Sequence, residues 1–296
     1  MHLKKHLFYI FLGLLALGLF YFYAISSFFH PKQVARYENP TELGREYEAA
    51  DELEQARKAY PTAREARILT GRDLGETRAL VLTFDGLGNR EDQEAILRIL
   101  QQKGWKAAFF VEGANGARES SWLQQLARDG QVLGNYSFVG LAHGEQMAPD
   151  QVLEQLVRTQ KVLTVAAGQP GRVGKLADTR YTPEILRAAA ACGLEALVQS
   201  DLDLKPGDLT DPEKMAQAES RIHPGMILSI RLDHPVPPVV KKKVPVGTPA
   251  IDKMPTIEDK KEPAVPALPL VQGVAALCDW LALQGWDVVP VTVLLP

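Results

Sequence analysis

The sequence has little cysteine and no excess of positive charge. Only two of its 296 residues are cysteines, Cys192 and Cys278, and neither has a second ligand at metal-binding spacing. Both lie in apolar segments typical of helices, so we expect buried free thiols. The formal net charge of -3 does not favour nucleic acid as a partner. The rest of the composition, 46% hydrophobic and 23% charged, is that of an ordinary globular chain.

One long hydrophobic run begins the chain. Lys4 and Lys5 precede an uncharged stretch from Leu7 to Phe29. As a helix this stretch reaches about 34 Å, and a bilayer core is about 30 Å thick. A cleaved signal peptide is the alternative, with Ala24-Ile25-Ser26 as a cleavage site, but the run is long for one. We predict a single-pass membrane anchor over residues 1–30, with the C-terminal domain outside the cell membrane.

The remainder divides into three regions by composition. Residues 31–77 are predicted to form a helical stalk, which either lies on the domain or is solvated. Residues 78–296 are predicted to form the main domain. Within it, residues 235–269 hold nine of the 20 prolines together with the lysine runs 241–243 and 260–261 and no aromatic residue. This composition favours a flexible insertion, which either is a solvated linker or attracts an anionic polymer, lipid headgroups or a partner.

Strand-like runs alternate with helical patterns after residue 79. Strands are predicted over Ala79–Phe84, Lys106–Val111, Gln131–Gly134, Val173–Ala177, Leu194–Gln199, Met226–Arg231 and Asp287–Val293. Helices are predicted over Glu91–Lys103, Glu119–Arg128, Asp150–Val165, Pro183–Ala191, Pro212–Ile222 and Leu268–Leu283. This alternation indicates a parallel α/β fold. Periodicity alone leaves an open doubly wound sheet and a barrel as alternatives.

The first of these strands ends in a recognisable motif. Thr83-Phe84-Asp85-Gly86 resembles the first motif of the polysaccharide deacetylases, the NodB-homology group or carbohydrate esterase family four, which reads Thr-Phe-Asp-Asp-Gly. The resemblance extends over roughly residues 78–234 and 265–296. It implies a distorted, incomplete (β/α) barrel of about seven strands, and it implies that Asp85 is the catalytic base. The second aspartate of the motif, a metal ligand in the family, has no counterpart.

The family's other motif positions are altered. Its two metal-binding histidines fall on Tyr136 and Gly140, and its third motif aligns with residues 175–179, beginning at Lys175. The histidine that acts as general acid falls on Arg231. A divalent metal lowers the pKa of bound water from about 15.7 to about 7, equivalent to about 12 kcal/mol of ionisation that a lone carboxylate cannot supply. We therefore predict no metal in the family's position.

Further polar residues near strand ends are candidates for contact with a glycan. We predict that Asn135, Asp178, Arg180 and Arg231 bind substrate, and Arg231 is also placed to pair with Asp85. Ser137 and Glu112 are additional hydrogen-bonding candidates.

A rebuilt metal site is an alternative, with a divalent ion such as zinc as cofactor. Acidic residues and histidines follow several predicted strands, on the side where barrel sites form. They are His143, Asp201, Asp203, Asp233 and His234.

Three functional hypotheses follow. The first is a membrane-anchored envelope protein that associates with a polysaccharide or cell-wall glycan without metal-dependent deacetylation. The second is an active carbohydrate deacetylase, a hydrolase of non-peptide C–N bonds, with a relocated metal. The third is an interaction scaffold at the membrane. In each, the membrane partner is bound through the N-terminal helix.

Overall fold

The structure, a computed structural model, describes residues 44–72, 74, 77–232 and 267–295. The predicted N-terminal anchor and most of the predicted insertion at 235–269 lie outside these ranges. Within the ranges, no helix combines the length and apolar character needed to cross a membrane.

Nine strands form one sheet in the described part of the chain, and every paired strand is parallel to its neighbour. The order is β1-β6-β5-β4-β3-β2-β8-β7, and β9 pairs with the start of β2. The bounds are β1 Arg67–Leu69, β2 Ala79–Asp85, β3 Ala108–Val111, β4 Val132–Asn135, β5 Val173–Gly174, β6 Ala196–Val198, β7 Leu202–Leu204, β8 Ile227–Arg231 and β9 Asp287–Val289.

Helices follow most strands, as parallel connections require. They are α1 Ala50–Ala59, α2 Arg90–Lys103, α3 Gly113–Arg118, α4 Ser120–Arg128, α5 Pro149–Ala167, α6 Pro183–Ala191, α7 Pro206–Leu209, α8 Pro212–Arg221 and α9 Ala267–Leu283. Asn89 caps α2 through its side chain, and Gly104 ends this helix in the left-handed conformation. The result is a parallel α/β half-barrel, as the resemblance to the polysaccharide deacetylases implies.

Side chains alternate between the two faces of the sheet. On β2, Leu80, Leu82 and Phe84 belong to the core between the sheet and the helices, whereas Val81 belongs to the core inside the curved sheet. On β8, Leu228 and Ile230 face the helices and Ile227 faces inward. Because successive strand side chains point to opposite faces, the inward positions continue at every second residue. This alternation decides which polar side chains reach the cleft.

The predicted stalk is partly integrated into the domain. Helix α1 packs into the core that it shares with α5 and α6, where Ala56 is buried. The Arg57 guanidinium donates to both carboxylate oxygens of Asp150 at 2.6 and 2.7 Å. Strand β1 then pairs with β6. Residues 50–69 therefore pack against the domain, which was one of the two alternatives for the stalk, and the predicted domain bounds stay a prediction.

The seven predicted strands are all present, with ends that differ by a few residues. Strands β1 and β7 were not predicted. Both have three residues; β1 lies within the predicted stalk, and β7 lies between the strand predicted over 194–199 and the helix predicted over 212–222. The described part of the chain therefore contributes nine strands to the sheet, where about seven were expected.

Candidate functional site

The inward faces of β2 and β8 build the site in layers. The register sets Val81 beside Ile227, Thr83 beside Ser229, and Asp85 beside Arg231. From the start of the strands to their carboxyl ends, an apolar layer is thus followed by a hydroxyl layer and then a charged layer. The charged layer lies at the carboxyl ends of parallel strands, where α/β barrels place their sites.

Asp85 forms an ion pair with Lys175. The ammonium Nζ of Lys175 lies 2.6 Å from Asp85 Oδ2, and the two side chains are 7% and 1% exposed. Ser229 Oγ donates to the same oxygen at 2.8 Å, accepts from Lys175 Nζ at 2.8 Å and accepts from Thr83 Oγ1 at 2.9 Å. The hydroxyl layer, which precedes the charged layer along the strands, therefore stabilises the ion pair by hydrogen bonding.

Two further groups complete the surroundings of the ammonium. Lys175 Nζ donates to Ser200 Oγ at 3.0 Å and to Asp203 Oδ1 at 3.1 Å, and Ser200 Oγ itself donates to Asp203 Oδ1 at 2.6 Å. Burial favours the neutral form of Asp203, but the positive charge of Lys175 and the hydrogen bonds from Ser200 and Lys175 together outweigh this effect and lower the pKa of Asp203. An ammonium has only three protons to donate, so the four oxygens around Lys175 occupy it fully.

Arg231 does not pair with Asp85, contrary to the sequence-based prediction. Its Nη1 and Nη2 donate to Asp178 at 3.0 and 2.9 Å. This bidentate contact lowers the pKa of Asp178 and, against the effect of burial, raises the pKa of Arg231. Lys175 already neutralises Asp85, and Arg231 instead binds the carboxylate at the rim.

Tyr136 occupies the inward position next to these charges. Its ring is 1% exposed and belongs to the core inside the sheet. Burial, and then the negative charge of Asp85, raise the pKa of the Tyr136 phenol well above its usual value. Among the residues that the structure describes, neither Tyr136 Oη nor Asp85 Oδ1 has a hydrogen-bond partner, and both atoms are buried.

Asn135 and Arg180, two predicted substrate contacts, lie away from this network. Asn135 is fully buried; its Nδ2 donates to Leu156 O at 2.8 Å, and its Oδ1 accepts from Ser137 N at 2.9 Å. Alternation along β4 directs Asn135 towards α5, because Tyr136 takes the inward position. Arg180 is exposed, and its backbone N donates to Glu145 Oε2 at 3.2 Å. These positions support a structural role for Asn135.

The two additional hydrogen-bonding candidates are also buried. Glu112 Oε2 accepts from Leu87 N at 2.7 Å, and Ser137 Oγ accepts from the backbone N of Leu141. Both therefore hold loops at the carboxyl ends of the strands.

The family's divalent metal does not fit these residues. A divalent ion needs about three side-chain ligands, but Asp85 Oδ2 already accepts a hydrogen bond from Ser229 and pairs with the Lys175 ammonium, and the next family position holds a phenol. At the third position, Gly140 has φ 68°, which favours glycine. The Lys175 ammonium and the Arg231 guanidinium would also repel a cation in this layer. The chemistry of the available groups thus favours a neutralised carboxylate over a metal centre.

The alternative metal ligands that the structure describes, His143, Asp201 and Asp203, do not converge either. Asp201 Oδ2 accepts a hydrogen bond from the backbone N of Ile227 at 2.7 Å. Asp203 instead binds Lys175. His143 Nδ1 lies 4.0 Å from Glu145 Oε1 at the rim. Within the described ranges, no group of three His, Cys, Asp or Glu side chains is arranged to hold a metal. Asp233 and His234 lie outside these ranges.

Lys175 is the main functional residue that the sequence-based prediction omitted from the site. The sequence around Lys175 could have identified it. Lys175 lies between Val173 and Ala177 at every second position of a predicted strand, so the three side chains share one face. Val173 and Ala177 are both in the core inside the sheet, so the alternation directs Lys175 inward as well. A lysine flanked in this way by apolar inward residues requires a buried carboxylate as partner.

Comparison with known proteins agrees with this fold. Residues 73–197 match the family model described as polysaccharide deacetylase. A peptidoglycan-N-acetylglucosamine deacetylase of Bacillus cereus is 33% identical over 91 residues, which are 30% of this chain and 32% of that protein. The match therefore spans about a third of the curated relative.

Solved structures with the same fold include both enzymes and a pseudoenzyme. A family 4 carbohydrate esterase pseudoenzyme from Bacillus anthracis has 18% identity and a TM-score of 0.55, covering 75% of this chain and 66% of that one. The peptidoglycan deacetylase PdaC from Bacillus subtilis has 17% identity and a TM-score of 0.55, covering 74% and 90%. A family 4 carbohydrate esterase from Streptomyces lividans has 19% identity and a TM-score of 0.53, covering 71% and 91%.

The ion pair yields a prediction about stability. Lys175→Met leaves the buried Asp85 carboxylate without its cation, and we expect the free energy of unfolding to fall by about 3–5 kcal/mol. The double variant Asp85→Leu/Lys175→Met replaces both charges with apolar groups and should lose less than the single variant. Urea unfolding of the three proteins measures the difference.

Lys161→Met provides the matched control. Lys161 binds Glu52 at 2.5 Å in a more exposed ion pair, and its loss should cost about 1 kcal/mol or less. Equal losses for Lys161→Met and Lys175→Met would contradict the structural importance of the buried pair.

Proposed function

Because the chain is a divergent member of the polysaccharide deacetylase family, we propose that it retains a glycan-binding cleft without the family's metal-dependent hydrolysis. The observation that carries this proposal is the 2.6 Å contact between Lys175 Nζ and Asp85 Oδ2. The resemblance implies that this carboxylate is the base, and here it is held in an ion pair.

Two further changes support loss of hydrolysis. Deacetylation needs a strong nucleophile, which a bound metal generates from water. The histidines that would hold the metal are replaced by Tyr136 and Gly140, and the position of the general acid holds Arg231 in a bidentate pair with Asp178. Each substitution removes a group that the family's reaction requires, and the network around Lys175 offers no equivalent.

The position of the site and its polar side chains favour association with a glycan. The site still lies at the carboxyl ends of the parallel strands and carries polar side chains above an apolar interior. At the rim, Asp203 and Asp178 have side chains that are 49% and 48% exposed. The relative in Bacillus cereus is named for N-acetylglucosamine in peptidoglycan, so we propose an N-acetylglucosamine-containing wall glycan as the ligand.

Two assays on the purified full-length chain test the proposal. We expect the protein to sediment with insoluble peptidoglycan and to release no acetate from it, even with added Zn²⁺, because the base is paired and the metal ligands are missing. Arg231→Ala should weaken sedimentation, since it removes a rim cation. Arg128→Ala, on α4 in the helical layer, is the matched control and should sediment like the parent.

The competing hypotheses give different results. Acetate release that depends on Zn²⁺ would establish the active deacetylase with a relocated metal. Absence of sedimentation would contradict glycan association. If a partner protein were also lost when residues 235–269 were deleted, the interaction scaffold would be favoured.

We further propose that residues 1–30 anchor the chain and hold the domain outside the cell membrane. The support is the length of the uncharged run from Leu7 to Phe29 and the lysines before it. In cell fractionation, the full-length chain should remain with membranes after a carbonate wash, and a chain that starts at residue 31 should not. Protease added to intact spheroplasts should digest the anchored domain, and protection from protease would contradict the orientation.

A further inference from the structure

The inside of the sheet contains two buried oxygens that no described residue satisfies. Asp85 Oδ1 and Tyr136 Oη each lack a hydrogen-bond partner among the described residues. Both side chains are 1% exposed. Buried polar atoms are rarely left unpaired, because each one costs free energy unless a partner from the protein, water or a ligand satisfies it.

These two atoms belong to one place in the fold. Asp85 ends β2, and Tyr136 directly follows β4, whose Asn135 ends the strand. Both side chains take inward positions at the carboxyl end of the sheet, and the charge of Asp85 contributes to the raised pKa of Tyr136. They are not hydrogen-bonded to each other, so each of them needs a further partner.

The chemistry of the two atoms defines that partner. Asp85 Oδ1 accepts a hydrogen bond, and the Tyr136 hydroxyl can donate one. A hydroxyl satisfies both at once, because it donates to the carboxylate and accepts from the phenol. Lys175 already balances the charge of Asp85 at Oδ2, so the free oxygen selects a neutral donor over a cation.

We propose that Asp85 Oδ1 and Tyr136 Oη form a binding subsite for one uncharged hydroxyl of a saccharide. This inference rests on the proposed glycan association and specifies the contact within it. Lys175 and Ser229 hold Asp85 Oδ2, which leaves Oδ1 for the ligand. The hydroxyl enters past the pair formed by Arg231 and Asp178, whose side chains are 13% and 48% exposed.

Tyr136→Phe tests the subsite, since it removes one hydroxyl and keeps the ring. The probe is a tetramer of β-1,4-linked N-acetylglucosamine, titrated into the full-length protein by calorimetry. We expect Kd to rise about threefold to tenfold, as for the loss of one hydrogen bond. We expect Tm to stay the same or to rise, because a hydroxyl without a partner in the free protein contributes nothing to folding.

Tyr181→Phe is the matched control. The Tyr181 hydroxyl accepts from Leu176 N at 3.2 Å and donates to Val198 O at 2.8 Å. Its removal should lower Tm and leave Kd within about twofold of the parent value, the opposite pattern to Tyr136→Phe.

The outcomes separate this inference from the proposed function. If the parent binds the tetramer and Tyr136→Phe binds it equally well, the subsite is wrong, the two oxygens face at most a trapped water, and glycan association stands. If Tyr136→Phe lowers Tm as much as Tyr181→Phe does, its hydroxyl has a partner within the protein and the subsite is also wrong. If the parent binds neither the tetramer nor peptidoglycan, the proposed function itself fails.

Discussion

The buried ion pair between Asp85 and Lys175 is the constraint on which the rest of the site depends. A carboxylate with 1% exposure has too little water around it to remain charged without a cation or several donors. Lys175 and Ser229 supply that compensation at Oδ2. Once this oxygen is paired, Arg231 is free to bind Asp178 at the rim, and only Oδ1 remains available on the inside of the sheet.

The same ion pair explains why residues that look unrelated in the sequence act together. Thr83 supports Ser229, Ser229 supports Asp85, and Ser200 and Asp203 complete the surroundings of Lys175. Each of these side chains is polar and lies on, or directly beside, the inward face of a strand. In a purely apolar layer, the buried carboxylate and ammonium would lack the hydrogen bonds that they need in addition to each other. The ion pair therefore requires the polar residues of this region. Their presence alone does not indicate catalysis.

Much of the fold could be predicted from the sequence, because strands and helices are indicated by local patterns of residues. Long apolar runs such as residues 79–84 indicate buried parallel strands, and helix α6 was predicted with the bounds that it has, Pro183–Ala191. The partner of Asp85 could not be obtained in this way. Lys175 directly follows β5, the third strand after β2 along the chain, and strand pairing and side-chain alternation together bring it to Asp85. The register places Arg231 directly beside Asp85, yet Arg231 pairs with Asp178 and Asp85 pairs with Lys175. Adjacency in the sheet therefore does not predict the ion pairs.

The central claim is that an ammonium group, and not a metal ion, neutralises Asp85. Crystals of the protein soaked in Zn²⁺ and measured at the zinc absorption edge test it most directly. The account predicts Lys175 Nζ at hydrogen-bond distance from Asp85 Oδ2 and no anomalous peak near either carboxylate oxygen. An anomalous peak within about 2.2 Å of Asp85, at the usual zinc–oxygen distance, with Lys175 displaced, would contradict it.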